Sequence, residues 1–181
     1  MLGWVTSVLT SEFVWGTILG ILLSILTAHV TAKITRRQQR QNVKLFCTDL
    51  VENISGYIKE VEQNRIRNND LIDFGFLNLI EVEVGIYSRN REHLILIEDA
   101  SLRKDVREFF NDAASFVSNI KFSLQRAHEA HGKAQSSIPP ESHKHAELAK
   151  EELKQAGKYC DRLRDVGATK DKLVDRLASI T

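Results

Sequence analysis

Residues 13–32 contain no Asp, Glu, Lys or Arg, and no other feature constrains the fold of this chain as strongly. Twenty helical residues rising about 1.5 Å each cover about 30 Å, the thickness of a bilayer's hydrocarbon core. Hydrophobic residues make up 43% of the 181 positions, but they are concentrated in this run, and the rest of the chain is polar and charge-rich. A membrane protein carrying a sizeable polar head is therefore expected. Residues 1–12 hold Glu12 and no Lys or Arg, unlike the basic start of a cleaved signal peptide, so the run reads as a retained anchor.

The flanks set an orientation. Lys33, Arg36, Arg37, Arg40 and Lys44 follow the run, and the positive-inside bias holds such residues on the cytoplasmic side, where they meet anionic lipid headgroups. The expected division is an extracytoplasmic segment 1–12, a transmembrane helix 13–32 and a cytosolic part 33–181. With 25 basic and 24 acidic residues, the chain lacks the basic excess of a nucleic-acid-binding domain, and no sequence-specific DNA binding is expected. Two cysteines, Cys47 and Cys160, and two prolines exclude a disulfide scaffold or a Pro-rich linker. In a reducing compartment both thiols are expected to stay free, as core filler.

Within the membrane run the polar residues are not scattered. Thr10, Thr17, Ser24 and Thr31 recur every seven residues, and Phe13, Gly20 and Thr27 sit three positions further on. Together they form a heptad stripe of mostly small or hydroxylated side chains. Gly16, Gly20, Ser24 and Ala28 add a small-xxx-small ladder, which lets helices approach closely in lipid. Ile18, Leu22, Ile25 and Leu26 fall away from this stripe, and His29 lies on the other side, within reach of the headgroups. A homo-oligomer that brings the stripes together is expected, with Phe13 as a constriction if a ring of helices encloses water.

Beyond residue 32 the pattern is helical throughout. Val43, Phe46, Leu50, Val51, Ile54, Tyr57, Ile58 and Val61 repeat at three and four, so the membrane helix is expected to continue into the head and to end near Asn68-Asn69-Asp70. The segment from Leu71 to Tyr87 suits helix or strand and is taken as helix, because a lone strand has nothing to pair with. Residues 88–99 read as a buried connection with one helical turn. Asp99 or Ser101 then caps a long amphipathic helix whose apolar face runs from Leu102 to Ala127 and which ends before Pro139-Pro140. Pro140 opens a further helix with the face Leu148, Leu153, Ala156, Tyr159, Cys160 and Leu163, which Gly167 closes, and Thr169 caps a short last one. The expected fold class is all-α: one N-terminal transmembrane helix continuing into a cytosolic antiparallel helical bundle.

Motifs for chemistry are few. There is no P-loop, GxGxxG or GxSxG. His128, His131, His143 and His145 flank Pro139-Pro140, but without a ligand spacing, so neither a metal nor a cofactor is expected. Arg126 and His131 form an RxxxxH motif, the pattern with which helical ribonucleases of the HEPN class stabilise phosphate charge and move a proton. With the single membrane helix and the helical head, this motif resembles the membrane-anchored HEPN-like accessory protein of type VI-B CRISPR systems. The resemblance implies an oligomeric pore in the bacterial inner membrane serving antiviral defence, with the bilayer, further copies of the chain and an RNA-guided nuclease system or its products as partners. The chain departs from active HEPN motifs by carrying Ala127 directly after Arg126, so a non-enzymatic effector is expected. A tethered signalling or adaptor module that binds a partner or nucleotide messenger, or a HEPN-type RNase using Arg126 and His131, are the alternatives.

Overall fold

The computed structural model describes the backbone of residues 2–67 and 72–179 and the side chains of residues 17–67 and 72–179. It is all-helical, with no strand among the described residues. In chain order come α1 (Leu2–Arg67), α2 (Phe74–Asn90), a 3-10 turn (Arg91–Leu96), α3 (Ala100–Ser136), α4 (Glu141–Ala168) and α5 (Lys170–Ser179). The chain divides into two compact units, Met1–Asn42 and Val43–Thr181.

In the first unit, the apolar side chains of α1 that are described lie open. Leu19, Leu22, Leu23, Ile25 and Leu26 each expose 57–61% of their surface. Among the described residues this is the one helix long and apolar enough to cross a membrane.

The second unit has its own core. The α1 positions Val43, Leu50, Val51, Ile54, Ile58 and Val61 are buried as their spacing requires. They share that core with Leu77 and Ile80 of α2, and with Leu102, Val106, Phe110 and Val117 of α3. Phe110 stacks on Tyr87 with ring centroids 3.8 Å apart and meets Phe109 edge-on at 5.4 Å. Polar ties at the rim fix the order of the helices: Asn53 to Glu83 between α1 and α2, Lys121 to Glu81 between α3 and α2, and Arg65 to Asp161 between α1 and α4.

Asp99 caps α3, its carboxylate accepting from the backbone N–H groups of Ser101 at 2.8 Å and Leu102 at 3.1 Å. The Leu102 N–H, then Ser101, and more weakly the Arg176 guanidinium hold this carboxyl below the usual aspartate range. A carboxyl lowered by folding adds stability above its unfolded pKa of about 4, and that stability is lost as pH falls through the lower folded value. Asp99→Asn keeps a capping side chain without the charge. Thermal melts should therefore show wild type above the variant near pH 7, with the gap closing in acid. A gap unchanged across the acid range means that the charge contributes nothing.

The described helices depart from the sequence-based expectations in three places. Leu148 and Leu153 do not form the inner face of α4 but are 42% and 51% exposed, while Ala149 and Ala156 are buried. The reason is the close approach of α3 and α4, the most extensively paired of the helices after α1. Ala127 and Ala130 of α3 and Ala149 and Ala156 of α4 are the small side chains buried along this stretch, and the leucines beside them are left exposed. Gly167 does not end α4, which runs on to Ala168. A Cβ there would stand 3.1 Å from Ile58 Cγ2, so α4 packs closely on α1 at this point. Residues 88–99 are not a buried connection but a largely exposed one, with Ile95 79% exposed. Thr169 serves both neighbouring helices: its hydroxyl donates to the Val166 carbonyl at 2.8 Å, and its own carbonyl accepts from the Leu173 N–H at 3.2 Å.

Candidate functional site

The residues of the membrane stripe whose side chains are described, Thr17, Gly20, Ser24, Thr27 and Thr31, are all exposed. At 100° per residue they fall within an arc of about 80° on α1, with Leu22 and Leu26 on the far side. Ser24, Thr27, Ala28, Thr31, Ala32 and Thr35 line a shallow concavity that ends at Arg36, where small side chains leave the backbone near the surface. Thr10 and Phe13 lie outside the described side chains. Next along the helix, Lys33, Arg36 and Arg37 are exposed and Arg40 is half-buried, a band of cations one to two turns beyond the apolar run.

This surface combines two properties. Its leucines and isoleucines are more exposed than water tolerates over a contiguous patch, so lipid or protein covers them. Its hydroxyls and glycine give the opposite side a small, hydrogen-bonding profile.

The sequence motifs for chemistry are dispersed. Arg126 pairs with Glu152 of α4 at 3.1 Å and lies 5.6 Å from the centroid of the Phe122 ring. His131 is exposed and hydrogen-bonds Gln135 at 3.0 Å on its own helix. The two side chains diverge by about 140° around α3, as a spacing of five requires. No group of three or more His, Cys, Asp or Glu among the described residues is placed to hold a metal ion. Cys47 and Cys160 are free and buried. Burial pushes their thiols up to about 12 and about 11, so neither is a thiolate nucleophile near neutral pH.

A second concavity was not anticipated from the sequence. It is an open cleft of about 460 Å³ between α3 on one side and α4 with α5 on the other. Phe109, Phe116, Val166 and Leu173 form its floor, and charged side chains form its lips. The signal was present on the flank of the α3 apolar stripe, where Asp105, Glu108 and Asp112 recur at helical spacing. It went unread because charge on an amphipathic helix normally faces solvent.

No protein-family model, curated protein or solved structure matches this chain.

Proposed function

We propose that the chain is an oligomeric membrane effector, anchored by residues 13–32, whose copies gather through the Thr/Ser/Gly face of α1 and perturb the bilayer. The observation that carries this reading is the pairing, on one helix, of an uncovered leucine-rich side with a side of small and hydroxylated residues. A plain tether needs the first and not the second. The bands of Lys33, Arg36, Arg37 and Arg40 orient the helix, with the N-terminus outside a bacterial inner membrane and an antiparallel bundle built from residues 33–181 in the cytoplasm. The engagement of Arg126 with Glu152 supports a non-enzymatic role over an RNase. The resemblance to the type VI-B accessory proteins supplies the antiviral setting of the proposal.

Full-length protein reconstituted into dye-loaded vesicles containing anionic lipid should release the dye, and more steeply than in proportion to protein density, because the leak requires several copies. Sealed vesicles at densities where the protein is inserted contradict the effector reading and leave the tether.

A further inference from the structure

The cleft between α3 and the α4–α5 pair has lips of opposite sign. The α3 lip carries only acids, Asp105, Glu108 and Asp112; the facing lip carries Arg162, Lys172 and Arg176, with Asp165 among them. One end is closed within the chain, where Arg176 donates to Asp105, to Asp99 at 3.2 Å and to Ser101 at 2.6 Å. Along the rest of the cleft, no ion pair among the described residues joins Glu108 or Asp112 to Arg162 or Lys172. Glu108 pairs only with Lys104 on its own helix, at 3.4 Å.

These charges select among occupants. A small anion drawn to Arg162 and Lys172 also meets the carboxylates of the opposite lip, and a polycation drawn to Glu108 and Asp112 meets the bases. An object that presents base to the acidic lip and acid to the basic lip satisfies both. A copy of the same cleft, turned through a two-fold axis, does so twice. Three of the four floor residues are largely closed off, Phe109, Val166 and Leu173 being 4%, 8% and 5% exposed, and Phe116 is half-buried. The strength of such a contact therefore rests on the charged lips, and it is screened by salt.

We infer that this cleft is a self-association surface through which two cytosolic units pair reciprocally, Glu108 and Asp112 of one copy against Arg162 and Lys172 of the other. The pairing is weak in itself and is favoured when copies are held at high local concentration on one membrane. It involves no residue of the membrane stripe, so its test is separate from that of the membrane contact.

The experiment uses full-length protein in detergent, an equal mixture of isotopically light and heavy chains, and a carbodiimide that joins a lysine amine directly to a carboxylate. Links from Lys172 to Glu108 or Asp112 should appear as light–heavy hybrids as often as light–light and heavy–heavy pairs together, and should disappear at high salt. Two charge-reversed chains complete the test, Glu108→Lys with Asp112→Lys and Arg162→Glu with Lys172→Glu, each checked for retained helicity. Neither should cross-link lip to lip with itself, and mixing the two should restore the link as hybrids only. Links confined within single chains, or no lip-to-lip links in wild type, overturn the inference, as does restoration that fails on mixing. A small amphoteric ligand as the true occupant gives the last of these outcomes.

Discussion

Replacing Phe110 with alanine should destabilise the helical unit by about 3–5 kcal/mol, enough to unfold a marginally stable domain. Phe110 is 1% exposed, and its ring is held on both sides, stacked on Tyr87 and edge-on to Phe109. Truncation removes the buried area and two aromatic contacts, and it leaves a void that the neighbouring helices cannot collapse into without breaking the α2–α3 pairing. Phe122, about three turns further along the same helix α3 and 59% exposed, provides the control. Its replacement by alanine loses a surface contact with Arg126, a change of about 1 kcal/mol or less. Denaturant titration followed by circular dichroism separates the two. Equal midpoints for both variants mean that the Tyr87–Phe110 stack is not the centre of the core.

Changing Thr17 and Ser24 together to leucine should weaken association through α1, lowering the mass of the detergent-solubilised assembly, and abolish vesicle leakage. Two leucines thicken the face on which Gly20 and Ala28 allow close approach, and they remove two hydroxyl partners. Model membrane helices place such a hydrogen bond at about 0.6–2 kcal/mol, so losing two with the associated packing shifts association by about tenfold or more. Leu22→Ile with Leu26→Ile, on the far side of α1, changes shape without changing polarity and should leave both mass and leakage as in wild type. Indistinguishable behaviour of the two double variants removes any role for the stripe.

Much of the helical unit is legible in the sequence because its signals are local. The cap of α3 is read as Asp99 or Ser101 from their place before an apolar repeat, and the structure selects Asp99; the α1 core positions are read from their three-four spacing. The end of α1 expected near Asn68-Asn69-Asp70 falls outside the described residues. The misreadings arise where a distant helix decides. Gly167 looks like a stop signal, but it lies where α4 packs closely on Ile58, some hundred residues earlier. Leu148 and Leu153 look like a core face, but α4 turns the neighbouring Ala149 and Ala156 inward instead. The cleft depends on helix pairing and on two charge rows separated by about fifty residues, which no single-helix pattern contains. Arg126 and His131 illustrate the converse: a spacing match in sequence that α3 projects in two directions.

The central claim, that copies meet in the membrane through one face of α1, is tested most directly by placing single cysteines at each position from Thr17 to Thr31 and oxidising the protein in native membranes. Cys47 and Cys160 give little background, being buried and protonated. The account predicts disulfide-linked dimers that peak at Thr17, Gly20, Ser24, Thr27 and Thr31 and fall away at Leu22 and Leu26. Cross-linking that is flat along the helix, absent, or strongest on the leucine side contradicts it.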